Sequence, residues 1–475
     1  MNNKFGISEE QMRALVAEGL RNGGSWCDLY FEDTVYLDLL LRDSEVNSGG
    51  YHQDYGCGIR VLDGEKTGYA YSESTDYASL LNAARAAASI AGSNSSSAAR
   101  PRMSTGFRTL CKSEANQNFY PQQSDWKQSE AARFAPLLKN IDSEIHRRES
   151  RADKVVAMLS WSVSDIMMFN SLGELTTDSR PLGSISVSTV FSKDGRIENR
   201  RVSRSFRCGS EMISDSLIDE LIEESVKGVD AMFEARRPKG GKMNVVMAAG
   251  ASGILLHEAM GHAFEADFNR KGQSVFCDRM GKRICNKGIN IVDDATITAN
   301  RGSCNYDDEG VPGQKTYMVT DGILTSYLHD RISAAYFGVE PTGNGRRESF
   351  RYNPIPRMRA TYMESGTDGS MEDIIGNVKK GIFVDQFANG QVKIGEGDFT
   401  FYVKSGFLIE NGRLTMPVKD INIIGNGPRA LSDIVAVAND LKIDNGTWTC
   451  GKEQSVAVSC GIPSVLVKGL TVGGN

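Results

Sequence analysis

Residues 245–268 read VVMAAGASGILLHEAMGHAFEADF, and the reading of the whole 475-residue chain turns on them. The apolar run 245–248 has the character of a short strand. Gly250 and Gly253 punctuate it, and the spacing then predicts a helix over 254–268. Beyond the helix the texture changes. Short strand-like runs alternate with GVPGQ, TDGIL, GTDGS, ANGQV, GEGDF, ENGRL and IGNGP. Asn-Gly and Asp-Gly at this density predict hairpins and a large antiparallel or barrel-like sheet.

The part before residue 236 mixes both kinds of element. Ser8-Glu9-Glu10-Gln11 has capping-box spacing and opens a helix to about residue 20. Strands are expected at 28–32, 34–41, 155–163 and 185–191. A hairpin is expected around Asp63-Gly64, and an alanine-rich helix at 75–91. A polar loop at 93–97 and an irregular stretch at 98–127 follow. A helix is expected over much of 128–148, with Pro136 disturbing it, and another over 217–233. RRPKGGK at 236–242 reads as a linker. The fold class is therefore α+β, with an N-terminal mixed domain over 1–236 and a C-terminal strand-rich domain over 243–475.

Composition excludes several classes. A net charge of −6 and a pI near 5.6 give no global attraction for nucleic acid or an anionic membrane. No run approaches the roughly 20 apolar residues of a membrane span, and the N-terminus lacks the layout of a secretory signal, so a soluble, cytoplasmic protein is expected. The nine cysteines are scattered without a C-x2-C pair, and most should be buried thiols in a reducing compartment.

The chemistry lies in HEAMGH. Two of only five histidines, His257 and His262, share this hexapeptide, and Glu258 follows the first. Neutral imidazoles bind zinc, and an adjacent carboxylate can take a proton from water that the metal has acidified. Glu258 could then pass that proton to a leaving amine. The spacing is one residue longer than the familiar four. Residues at i and i+5 lie about 140° apart on a regular α-helix, too far round to share an ion. A π-bulge would restore one face, and Gly261 would ease it. Two histidines are also too few. A third ligand is needed from Glu265, Asp267, Cys450 or Cys460, which the residues alone leave open. Glu265 and Asp267 could instead brace the histidines or be surface acids. Arg346 and Arg347 could clamp a peptide carboxylate or pair with Asp307, Asp308 or Glu309. His52, His146 and His329 read as structural or exposed.

A series of ordered motifs gives a further expectation. HEAMGHAFEADFNRKG, VDD at 292–294, DDEGVPGQ, TGNGRRES, PIPRM, FANGQV, LIENG, PVKDINIIGNGP, TCGKEQSV and LTVGG resemble the TldD/PmbA family, specifically its HExxxH-bearing TldD branch. CDLYFED and GIRVLDGEKTGYAYSES extend the resemblance to the N-terminus. The resemblance implies a zinc metallopeptidase acting on unstructured or partly unfolded peptides. It implies zinc held by His257, His262 and the cysteine of the CGK motif, here Cys450, with Glu258 catalytic. It also implies a dimer enclosing a chamber, either a homodimer or a heterodimer with a PmbA/TldE-like paralogue. The family's "modulator of DNA gyrase" label finds no support in this acidic chain as direct DNA contact. Cys460 departs from an expected glycine, and the lead into the motif lacks an expected tryptophan. Two other functions stay open: a catalytically silent scaffolding subunit, and a zinc amidase acting on modified peptides.

Overall fold

The computed structural model describes residues 4–92, 111–113 and 118–473, so the loop expected at 93–97 and much of the stretch at 98–127 lie outside the described residues. The chain is α+β, as expected. Its first seven-stranded sheet draws only on residues up to Phe206. Four strands dominate it: Trp26–Arg42, Glu45–Asp63, Ala152–Asn170 and Glu174–Lys193. They are 17, 19, 19 and 20 residues long, about three times the usual length. The separate strands expected at 28–32 and 34–41 are one continuous strand.

Alternation explains how such strands are covered. Leu29, Phe31, Leu39 and Leu41 point one way, as do Val155, Ala157, Leu159, Trp161, Val163 and Phe169. Helices Glu9–Leu20 and Tyr77–Gly92 pack on one end of that face. Helices Ala135–Arg148 and Asp215–Val226 pack on the other end. Pro136 lies in the first turn of its helix, where a missing amide costs nothing, and two short 3-10 turns precede it.

The opposite face is charged and meets the C-terminal half. Arg60 donates to Asp28 on the neighbouring strand and, at 2.6 Å, to Glu309. Arg180 pairs with Asp308, and the Glu32 carboxylate accepts the Phe350 amide at 2.7 Å. Tyr30, Ile166 and Met168 pack there on Tyr306 and Phe350. Buried charges are tolerated only when paired, so this network fixes how the two halves seat.

In the second half, five strands form a ring: Lys380–Lys393, Gly241–Met247, Val465–Gly473, Ile421–Asn426 and Asp398–Glu410, the last pairing back to the first. A ring of odd number cannot alternate direction throughout, and the pair 241–247 with 380–393 is parallel. The expectation of an antiparallel or barrel-like sheet is met in this form. A six-stranded sheet stands beside it, ordered 323–324, 315–320, 291–294, 360–363, 459–462, 442–444. Barrel residues such as Val384, Phe401 and Val465 share one core with Ile291, Met363 and Ile462 of that sheet.

Asp-Gly and Asn-Gly do close hairpins. Asp194-Gly195, Asp321-Gly322 and Asn411-Gly412 all have positive φ at both residues, as two-residue primed turns demand. ANGQV behaves differently: Asn389-Gly390 lies inside the strand 380–393, and the missing side chain of Gly390 leaves room for the Phe401 ring.

Candidate metal centre

The segment expected as one helix over 254–268 is a succession of different turns. Residues Ile254–Leu256 are α-helical, His257–Gly261 form a π-helical turn, and His262–Phe264 a 3-10 turn. The amide of His262 donates to the carbonyl of His257, five residues back. This widened turn is what the i, i+5 spacing requires. It puts the two imidazole centroids 5.1 Å apart, with planes at 81°. Gly261 has an ordinary right-handed helical backbone, so its smallness serves packing rather than conformational freedom. A Cβ there would lie 2.1 Å from Met358 Sδ. The segment's N-terminal end is wedged as tightly: a Cβ on Gly253 would lie 2.5 Å from the backbone nitrogen of Gly461.

Cys450 arrives from 188 residues away, on a two-stranded hairpin of Thr449–Lys452 and Gln454–Ala457. Its Sγ lies 3.3 Å from His262 Nε2. One ligand atom from each of His257, His262 and Cys450 lies within 4.8 Å of the others, and all three residues are buried. The loop before the hairpin docks on the N-terminal sheet. Ser205 N donates to Asn445 O at 2.6 Å, and Thr447 N to Ser203 Oγ at 3.2 Å. Arg301 Nε donates to Trp448 O. Both halves of the chain therefore position the sulfur.

The group beyond the histidines is also built. Glu265 leaves the helical path, with an extended backbone bridged to Leu328, and its carboxylate reaches back to His262 Nδ1 at 3.0 Å. A carboxylate on the far ring nitrogen orients an imidazole and fixes its tautomer. Lys452 donates to Glu265 at 3.0 Å and to Asp267 at 2.7 Å, and the guanidinium of Arg357 lies 3.8 Å from Glu265. Glu265 and Asp267 are thus beside the site, with Glu265 touching a histidine and Asp267 touching Lys452.

Arg346 and Arg347 are placed elsewhere. Arg346 donates to the carbonyls of Met358 and Ala457. Arg347 is buried over the Tyr30 ring, donates to the Asp308 carbonyl and the Tyr69 hydroxyl, and lies 3.8 Å from Asp28. Both guanidiniums are engaged by groups of the protein itself. His329 is buried beside Tyr327 and Phe337, and its imidazole is pushed down to about 4 by burial. Lys452 and Arg357 were not singled out in the sequence. The signals for Lys452 were its place as the lysine of the CGK motif and its position two residues from Cys450, on the same side of a strand.

Electrostatics separates the two candidate cysteines. Burial alone would raise the Cys450 thiol, but the two imidazoles outweigh it and hold its pKa down at about 5. Cys460 is buried on the strand Ser459–Ile462, and burial, with Asp444 and Glu258 nearby, keeps its thiol protonated. Burial would likewise lower His262, but Glu265 and Cys450 lift it to about 10. Lys452 and His262 overcome burial to hold Glu265 at about 2. The species present at neutral pH is then a thiolate beside an imidazolium. In metal-free protein, the thiolate absorbance near 240 nm that is lost on Cys450→Ser should titrate near pH 5. A midpoint near pH 9 would overturn this charge assignment.

The donor set suits zinc: two imidazoles and one thiolate, buried and convergent, with braced geometry behind His262. His257 Nδ1 is buried and has no hydrogen-bond partner among the described residues, the kind of unsatisfied ring nitrogen that a bound ion and its ordered surroundings relieve. Glu258 stands apart, half-buried, and its carboxylate makes no hydrogen bond or ion pair among the described residues.

A closed barrel, a neighbouring mixed sheet and a cluster of two histidines from a π-turn with a cysteine from a hairpin define a class that comparison with other proteins identifies as metallopeptidase. Residues 27–91, 124–233 and 240–474 match, in turn, domain 1, the central domain and the C-terminal domain of the PmbA/TldA metallopeptidases. The chain belongs to the TldD/PmbA family. It is 36% identical over 455 residues to a metalloprotease TldD homolog of Haemophilus influenzae, covering 94% of this chain and 93% of that one. A zinc metalloprotease TldD homolog of Saccharolobus solfataricus is 35% identical over 259 residues, 54% of this chain and 57% of that one. In fold the chain is similar to TldE from Thermococcus kodakarensis (TM-score 0.75, 18% identity, 98% of this chain and 100% of that one). No helix among the described residues is long and apolar enough to cross a membrane.

Proposed function

We propose that this chain is a zinc-dependent peptidase that hydrolyses unstructured or partly unfolded peptides in the cytoplasm. The observation that carries the reading is the buried convergence of His257, His262 and Cys450, with the unengaged Glu258 next in sequence to His257. His257, His262 and Cys450 would hold the ion. Bound zinc supplies a Lewis acid for the scissile carbonyl and lowers the pKa of water.

The chain's own residues do the rest. Glu258 takes the proton of the attacking water on a carboxylate oxygen and returns it to the leaving amine. Glu265 holds the His262 ring by its Nδ1, so that Nε2 faces the sulfur. The thiolate's charge holds the ion firmly at some cost in Lewis acidity. A heterodimer with a TldE-like paralogue, or a homodimer, is the assembly that the fold relationship supports. The eight cysteines whose side chains are described are free thiols, which fits a reducing compartment.

Zinc analysis joined to a cleavage assay tests the reading. Purified protein should hold about one zinc per chain and cut a reduced, unfolded polypeptide while sparing the same protein folded. Cleavage of small amides but not of unfolded peptides would point to an amidase. Protein that takes up no zinc and cuts nothing would be a silent subunit.

A further inference from the structure

The three metal-facing side chains sit on two separate pieces of chain, and little joins those pieces at the site. The histidines ride on the π-turn, while Cys450 rides on a hairpin that belongs to neither large sheet. Among the described residues, the hairpin's backbone is held from one side only. Arg357 donates to Cys450 O at 2.6 Å and Gln454 O at 2.8 Å, and Arg346 donates to Ala457 O at 2.7 Å. Glu348 accepts from Ser455 N. All of these partners belong to residues 346–357, outside the histidine segment.

Lys452 is different. Its side chain is 6% exposed and runs from the cysteine strand to the histidine segment. Its ammonium has three acceptors for three protons: Glu265 Oε2 at 3.0 Å, Asp267 Oδ1 at 2.7 Å and Pro356 O at 3.2 Å. Its Nζ lies 4.2 Å from the Phe268 ring centroid. The same Glu265 oxygen receives His262 Nδ1. The path Cys450–Lys452–Glu265–His262 therefore closes on itself through the 3.3 Å approach of Sγ to Nε2. Two cations, Lys452 and Arg357, face two carboxylates, Glu265 and Asp267. The buried charges balance, as they must.

We infer that Lys452 is a positioning residue, a clamp that sets the distance between the cysteine hairpin and the histidine turn, so that the metal site is formed before the ion arrives. This deepens the zinc reading of the same site and rests on it. Lysine suits the task because its three ammonium protons are tetrahedrally disposed and can meet acceptors that do not share a plane, whereas the five donors of a guanidinium are confined to one.

The test uses the full-length protein and cobalt(II) as a zinc substitute, whose thiolate charge-transfer band reports the sulfur–metal bond. Lys452→Gln keeps part of the hydrogen bonding and loses the charge. It should bind cobalt roughly 10- to 100-fold less tightly, with a weaker charge-transfer band per bound ion, the range typical for groups that brace ligands. Asp267→Asn leaves Lys452 and Glu265 in place and should weaken binding several-fold, which keeps the inference testable if the lysine variant misfolds. A merely structural role would lower the melting temperature of the metal-free protein but leave the band per bound ion unchanged. Wild-type affinity with a full band in Lys452→Gln, or in Asp267→Asn where the lysine variant does not fold, overturns the inference. If the wild-type protein itself binds neither cobalt nor zinc, the zinc reading fails instead.

Discussion

Glu258→Gln should lose nearly all peptide cleavage, with kcat falling roughly 10²- to 10⁴-fold, while zinc content stays at the wild-type level. The substitution keeps size and shape and removes only the ability to take a proton. Glu258 is half-buried and has no hydrogen bond or ion pair among the described residues, so its amide leaves no partner stranded and the fold should be undisturbed. It is also not in the convergent set of His257, His262 and Cys450, so the metal should not notice the change. Stopped-time cleavage of an unfolded polypeptide, run beside zinc analysis of the same preparation, reads both quantities. Full activity in this variant would move the base to another residue. Loss of zinc together with activity would make Glu258 a ligand or a structural group. Because Gln cannot return a proton to the leaving amine either, the loss should persist at alkaline pH, where hydroxide replaces the need for a base in the attack alone.

The sequence made some parts of this site plain and hid others for physical reasons. HEAMGH announced its chemistry through residue identity, and the awkward i, i+5 spacing required the π-turn that the structure has. The barrel was visible in part because Asp194-Gly195, Asp321-Gly322 and Asn411-Gly412 occupy backbone conformations that few other pairs accept. The full length of the N-terminal strands was hidden, because one face of each carries serine, glycine or charge. Ser160, Ser162 and Ser164 face away from the helices, and Asp28 and Glu32 face a partner surface contributed some 320 residues later. Periodicity records burial against apolar neighbours, and it is blind to burial against a matching charge. For the same reason Arg346 and Arg347 read as possible substrate clamps, since nothing local reveals that Met358, Ala457, Asp308 and Tyr69 already take their protons. The break after His262 was missed because Glu265 is extended through its pairing with Leu328, a contact made across the fold.

Cys450→Ala should remove the metal, with zinc affinity falling by on the order of 10³-fold or more and cleavage lost along with it. Two imidazoles alone provide neither the charge nor the third point of attachment that a catalytic zinc needs. The nearest replacement donors are already committed: Glu265 to His262 and Lys452, and Asp267 to Lys452. Cys460 cannot substitute readily, since burial and the neighbouring Asp444 and Glu258 keep its thiol protonated. The metal-free variant should nonetheless fold, because the hairpin keeps anchors that do not involve the sulfur: Arg357 on the carbonyls of Cys450 and Gln454, and the Lys452 ammonium on Glu265. Its His262 should titrate lower than in the wild type, since the sulfur, with Glu265, is one of the two groups that raise it. Zinc titration by competition with a chromophoric chelator measures the affinity, and histidine ring proton shifts measure the titration. A variant that keeps wild-type affinity would mean that the sulfur, 3.3 Å from His262 Nε2, is a bystander to an ion bound by other residues. A variant that loses the ion while His262 still titrates at its wild-type value would separate the two roles assigned to Cys450, leaving it a ligand but not the partner that charges the ring.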